Sequence, residues 1–294
     1  MSWSKELAGA LRQRVTGAAG GTAVLMYHAV EYADGVNESE DYTVSATLFQ
    51  RHLLALERVG ATSLPLIRAL AGGAWPAQET EGDSPDGPQV LLTFDDGFES
   101  VLTEAAERLG DAGFGAVVFI TTDKIGTRGY LTPEQVKVLL GMGIVVGAHG
   151  KTHTYLTDLS LAALRNELET SRKVLEDLVG YPVTWMSAPG GRVDARVLSE
   201  ARRAGFNTFF GSRPGLVSPL SDQAQWPLPR FSITQKTDPS RLERLVCGRT
   251  RALLSEQARF EALAVPKRVL GNAGYDAARK LVLDAVRHRR KGSE

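Results

Sequence analysis

Between residues 22 and 211, short apolar runs alternate with longer segments of helical spacing, and this alternation constrains the fold more than any other feature of the chain. Ala23–Met26, Gln89–Phe94, Ala116–Ile120, Gly143–Ala148, Val183–Met186 and Thr208–Gly211 read as strands. Thr47–Val59, Glu99–Ala112, Thr132–Gly141, Leu159–Val179 and Ala195–Ala204 place apolar residues three and four apart, as a helix with one buried face requires. Strands separated by helices pair in parallel, with the helices crossing over between them. The expected fold class is therefore α/β, either a barrel or a doubly wound sheet. With 294 residues, 43% of them hydrophobic, the chain can bury a full core. Segment 72–88, GGAWPAQETEGDSPDGP, has turn residues throughout and reads as a surface insertion.

Beyond about residue 235 the pattern changes, which divides the chain into an N-terminal segment 1–21, a core 22–235 and a helical extension 236–294. The formal net charge of zero gives no global argument for nucleic acid as a partner. That zero hides an asymmetry: residues 236–294 hold 14 Lys or Arg against 7 Asp or Glu, a net of +7, so the preceding residues carry −7. The extension reads as helices at Pro239–Phe260 and Ala273–Arg290, which either pack on the acidic core or make peripheral contact with an anionic membrane surface. No secretory signal or membrane span is read from the N-terminal segment. The single cysteine, Cys247, excludes an intramolecular disulfide and suits a reducing compartment. The expected location is the cytoplasm, with any membrane contact at the inner surface.

The chemistry gathers at two strand ends. Residues 91–100 read LLTFDDGFES, so two adjacent carboxylates, Asp95 and Asp96, follow a buried run. Like charges this close, in a poorly solvated place, require either an abnormal titration or a cation between them. The run 143–148 leads into His149-Gly150-Lys151-Thr152-His153. Two histidines four residues apart converge on one ion if the chain turns after the strand, and Asp96 is the natural third ligand. In α/β barrels, ligands gather at the C-terminal ends of the strands, where both motifs lie. Taken singly, Asp-Asp-Gly is a common turn and His-x-x-x-His is common on solvated helices. Only five histidines are available, so their pairing with the carboxylates is specific. His52, beside Arg51, and His288, within Arg287–Lys291, read as solvated. His28 ends the first strand.

Thr93-Phe94-Asp95-Asp96-Gly97 together with His149-x-x-x-His153 resembles the first two motifs of the polysaccharide deacetylases, carbohydrate esterase family four, which includes chitin, peptidoglycan and poly-N-acetylglucosamine deacetylases. Leu25-Met26-Tyr27-His28, followed by Tyr42-Thr43-Val44-Ser45 and Phe49, is similar to the branch whose domain begins with a Tyr-His pair. The resemblance runs from about residue 22 to about 235. It implies a distorted (β/α) barrel and a metal-dependent hydrolase that removes N-acetyl groups from a sugar or polysaccharide intermediate of the cell envelope or exopolysaccharide. It also implies Asp95 as general base, with Asp96, His149 and His153 holding one divalent ion, most often zinc.

The resemblance is incomplete. The third motif reads Ser187-Ala188-Pro189-Gly190-Gly191-Arg192, which keeps a proline and a glycine but lacks the arginine and aromatic residue at their usual places. Pro189, Gly190 and Arg192 are the candidates for substrate and oxyanion contact, with Gly190 offering a backbone N–H and Arg192 the charge from a shifted position; alone, Pro-Gly-Gly is an ordinary tight turn. The late Leu-His motif, source of a general acid, is absent near Leu228–Ile233. His28 is then either the replacement acid or a structural histidine satisfied by a backbone carbonyl. The alternatives for function are a carbohydrate-binding relative with weak turnover and an amidase acting on a non-sugar substrate.

Overall fold

The computed structural model describes residues 21–31, 41–64, 66, 87–218, 226–262 and 274. The chain divides into two compact units, 1–253 and 254–294. The first contains the strands β1 (Thr22–Tyr27), β2 (Thr62–Ser63), β3 (Gln89–Phe94), β4 (Ala116–Ile120), β5 (Val145–Ala148), β6 (Trp185–Ser187), β7 (Thr208–Phe210), β8 (Leu216–Val217) and β9 (Phe231–Ser232). Its helices are α1 (Ala46–Arg58), α2, which opens as a π-helical stretch at Val101–Ala106 and continues over Glu107–Asp111, α3 (Pro133–Gly141), α4 (Leu161–Val179), α5 (Ala195–Arg203) and α6 (Pro239–Val246).

Local chemistry fixes where the helices begin. Ser45, Ser160, Asp194 and Asp238 each accept a hydrogen bond from a backbone N–H in the first turn of the helix they precede. Thr132 and Gln135 exchange hydrogen bonds as a capping box, and Pro133 supplies the preset φ of the first helical residue.

The strands β1, β3, β4, β5, β6 and β7 are neighbours in that order, all parallel. Closure comes from residues 228–232: Leu228 bridges Phe210 at the end of β7, and β9 pairs in parallel with β1. The expected distorted (β/α) barrel is therefore present. Its closing stave, short and interrupted by Pro229, was not among the strands read from the sequence.

Side chains alternate across each strand, so the barrel has an inner and an outer layer. Val24, Leu91, Val117, Phe119, Val145, Trp185, Phe210 and Leu228 form an inner cluster. Leu25, Tyr27, Leu92, Phe94, Val118 and Val146 pack outward with the apolar faces of the helices. Gly147 makes the inner cluster possible, because a Cβ there would lie 2.5 Å from the Phe119 ring. Continuing the inner parity by two residues toward the C-terminal ends reaches Met26 and then His28, Thr93 and then Asp95, His149, Ser187, and Arg230. The same period that fills the barrel with apolar groups thus carries polar ones to its mouth.

Two expectations need correction. His52 is not a solvated residue: it is 0% exposed, on the face of α1 shared with Phe49, Leu53 and Leu56. Its Nε2 lies 2.7 Å from the Thr237 carbonyl oxygen and its Nδ1 3.2 Å from the Tyr27 hydroxyl. The neighbouring Arg51 misled, because adjacent residues on a helix point some 100° apart, as 3.6 residues per turn requires. The helix expected over Pro239–Phe260 is broken at Cys247-Gly248-Arg249, where Gly248 has φ of 65°, and resumes over 250–262. Leu242, Leu245 and Val246 of α6 are buried in the main core of the first unit. Apart from Gly274, the expected helix Ala273–Arg290 lies outside the described residues, as do His288, residues 1–20 and most of segment 72–88. No helix among the described residues is long and apolar enough to cross a membrane.

Candidate active site

The three expected metal ligands converge. Asp96 Oδ1 stands 3.1 Å from His149 Nε2 and 2.9 Å from His153 Nε2, and one donor atom from each residue falls within 4.8 Å of the others. Two of the three sit on strained backbone: Asp96 has φ of 75° and His153 of 68°, a region non-glycine residues seldom occupy. Such strain concentrates where surrounding contacts hold a functional geometry. His149 Nδ1 is 3.0 Å from the Ser187 carbonyl oxygen, which can only accept, so Nδ1 carries a proton. In the neutral imidazole, Nε2 then presents a lone pair toward Asp96.

Asp96 Oδ1 is buried without a hydrogen-bond partner of adequate alignment, despite two imidazole nitrogens close by. Three possible ligand atoms gathered around one point, one of them a buried oxygen with no aligned hydrogen-bond partner, fit a divalent cation. Burial pushes the Asp96 carboxyl up. The facing His149 and His153 outweigh it and hold the carboxyl well below its ordinary value.

Asp95 has a different environment. Arg230 Nη1 donates to its Oδ1 and Arg230 Nη2 to its Oδ2, both at 2.8 Å. The Ser187 hydroxyl donates to Oδ2 at 3.0 Å, and Arg230 Nη2 also reaches Ser187 Oγ at 2.7 Å. Arg230 is 0% exposed and Asp95 2%. The guanidinium is anchored further by the Gly211 carbonyl at 2.7 Å and Thr93 Oγ1 at 3.2 Å, above the rings of Phe119 and Phe210. Such a bidentate pair fixes direction as well as charge. Burial pushes the Asp95 carboxyl up, but Arg230, then His149, bring it below its ordinary value.

Arg230 was missed in the sequence, and it corrects the expectation for Arg192. The guanidinium lacking at Ser187 comes from the closing stave, and the small serine leaves room for it. Arg192 instead lies over the Tyr155 ring at 3.9 Å. The one signal available was an arginine in the alternating stretch Leu228-Pro229-Arg230-Phe231-Ser232-Ile233, whose remaining inward residue, Leu228, is apolar.

Pro189–Gly191 forms a single 3-10 turn, with Gly190 at φ 62° and Pro189 buried. A Cβ on Gly190 would lie 2.5 Å from Tyr155, so the third motif packs directly on the loop that follows His153. His28 lies at the end of β1 with its ring 4.8 Å from that of Tyr42 and its Nδ1 buried without a hydrogen-bond partner. A backbone carbonyl therefore does not satisfy Nδ1. Burial lowers the readiness of His28 to take a proton, while Asp96 and Asp95 act in the opposite direction.

Residues 82–209 match the polysaccharide deacetylase family model. YxkH of Bacillus subtilis (strain 168), whose name assigns it provisionally to the polysaccharide deacetylases, is 26% identical over 211 residues, 72% of this chain and 71% of its own. A peptidoglycan-N-acetylglucosamine deacetylase of Bacillus cereus is 30% identical over 124 residues, 42% of this chain; the match spans little more than half, 56%, of that enzyme. Among solved structures, the Streptococcus pyogenes deacetylase PplD in complex with acetate has the same fold at a TM-score of 0.64 and 22% identity, over 77% of this chain and 98% of that one. Residues 82–209, less than half of the chain, are thus similar to the polysaccharide deacetylase family, and the barrel built around them has the fold of a solved deacetylase.

Proposed function

We propose that this chain is a metal-dependent hydrolase that removes the acetyl group from an N-acetylated sugar of a cell-envelope polysaccharide or exopolysaccharide. The observation that carries the reading is the division of roles between adjacent carboxylates: Asp95 is locked by Arg230, and Asp96 is grouped with His149 and His153. A divalent ion held by Asp96, His149 and His153, most simply zinc, would polarise the acetamide carbonyl and acidify water beside it.

The chain's own groups would do the rest. Asp95, ionised and aimed by Arg230 and Ser187, takes the proton from the attacking water. The Gly190 N–H, with Pro189 shaping its turn, would face the oxyanion. His28 delivers a proton to the nitrogen as the C–N bond breaks; burial opposes the charged imidazole this role needs and sets the net direction downward, against the pull of Asp96 and Asp95. Acetate and a free amine leave. The B. cereus relative, by its name a peptidoglycan-N-acetylglucosamine deacetylase, supports that substrate class. The +7 carried by residues 236–294 supports peripheral contact with an anionic inner-membrane surface and hence a cytoplasmic site of action.

One observation favours a second reading, a carbohydrate binder of weak turnover: an arginine-paired carboxylate is a poor base. Acetate release from N-acetylglucosamine oligomers by zinc-loaded protein decides between them. Release at a rate abolished by chelation is expected. A fully loaded protein that binds the oligomers and frees no acetate would overturn the hydrolase reading.

A further inference from the structure

Glu167 lies on α4, a helix that contributes none of the groups assigned above, yet it is a carboxylate only 4% exposed. Its Oε1 accepts hydrogen bonds from the Lys151 backbone N–H at 2.9 Å, the Thr152 backbone N–H at 2.6 Å and the Thr152 hydroxyl at 3.0 Å. These donors lie in the turn between His149 and His153. Leu164, Leu168 and Leu175 already dock α4 on the barrel, so helix packing gives no reason for a buried carboxylate here.

The turn has a reason of its own. For two histidines four residues apart to face one carboxylate oxygen, the chain must reverse within 149–153, and it does so with Gly150 at φ 77° and His153 at φ 68°. A histidine in the left-handed region stays there only if its neighbours hold it. A Cβ on Gly150 would come within 3.2 Å of the same Oε1, so the carboxylate is seated against the turn itself. Thr152 Oγ1 also contacts Thr154 Oγ1 at 2.8 Å, which extends the anchoring past His153.

We infer that Glu167 is a positioning residue of the metal site: it fixes the 149–153 turn so that both imidazoles meet at Asp96. The inference rests on the metal reading proposed above. It makes α4 part of the site although α4 supplies none of the three candidate ligands.

The test is titration of the metal-free protein with Zn²⁺, and with Co²⁺ for its visible spectrum, in wild type, Glu167→Ala, Glu167→Gln and Glu200→Ala. Groups that orient metal ligands typically contribute about 10–100-fold in affinity, and Glu167→Ala is expected to lose that much. Glu167→Gln keeps an acceptor oxygen and is expected to recover most of it. Glu200→Ala, which removes a carboxylate paired with Arg165 and Arg203, should leave the affinity unchanged. In the metal-free protein, hydrogen exchange at the amides of Lys151 and Thr152 should quicken in Glu167→Ala and stay slow in Glu167→Gln. If Glu167→Ala does not fold, Thr152→Val, which removes one of the three hydrogen bonds, should weaken the metal by a smaller factor. Unchanged affinity and exchange in Glu167→Ala, or unchanged affinity in Thr152→Val where that variant stands in for it, would overturn the inference. A wild type that takes up no ion while its turn amides stay protected by Glu167 would overturn the metal reading and the inference with it.

Discussion

Asp95 and Asp96 are adjacent in the chain and meet different partners at the barrel mouth. On one side, both oxygens of Asp95 are taken by a guanidinium at 2.8 Å, with a serine hydroxyl completing the shell. On the other, Asp96 meets two imidazole nitrogens, one of them Nε2 of the ring whose Nδ1 is held by the Ser187 carbonyl. The first carboxylate is matched by a cation built into the chain, and the second is arranged for a cation from outside. Backbone direction sets the difference. Asp95 continues the inward parity of Leu91 and Thr93, whereas Asp96, at φ 75°, is turned to the rim.

The largest expected effect breaks the Asp95 side. Removing one partner of a buried ion pair leaves the other charge uncompensated, so Arg230→Met should destabilise the fold by about 3–5 kcal/mol in urea unfolding. The double variant Arg230→Met/Asp95→Asn should recover most of that loss, because no lone charge remains. An Arg230→Met protein as stable as wild type would erase the distinction between the two carboxylates.

His28 sharpens the comparison, since it senses both carboxylates. His28→Ala should lower kcat by about 10²–10⁴-fold, the usual contribution of a positioned acid or base, with metal content unchanged. Wild-type kcat in this variant would exclude His28 as the proton donor.

The legible part of the molecule was its regular part. Apolar runs alternating with period-3.6 helices pointed to a barrel or a doubly wound sheet, the resemblance to the deacetylases implied the barrel, and two histidines after one strand with two aspartates after another gave the candidate ligand set. Arg230 escaped because it stands between Pro229 and a strand only two residues long, so the alternation that places it inside the barrel is too brief to recognise. Only closure against β1 and β7 shows that position 230 and position 187 share one space. His52 escaped for another reason. Its partners, Tyr27 and Thr237, lie 25 and 185 residues away, and a helix period alone does not say which polar residue will find such partners.

A smaller effect comes from His52, away from the mouth. Burial lowers its affinity for a proton and Arg51 lowers it further, while the Thr237 carbonyl and Asp238 oppose them; the net shift is downward. A histidine whose folded value is depressed contributes stability that is complete above its unfolded value of about 6.5 and is lost as pH falls below it. The loss proceeds at up to about 1.4 kcal/mol per pH unit until the folded value is passed. His28 acts in the same direction, so the readout is the difference between wild type and His52→Gln. Urea unfolding from pH 7.5 to 5 should show a shallower decline in His52→Gln. Identical slopes would contradict the buried, neutral assignment.

The most direct test of the two-carboxylate account measures metal content and acetate release together in Asp95→Asn and Asp96→Asn. The account expects Asp95→Asn to keep near one equivalent of divalent metal and lose turnover, because its partner is Arg230. It expects Asp96→Asn to lose the metal itself. A metal-free Asp95→Asn beside a fully loaded Asp96→Asn would contradict it.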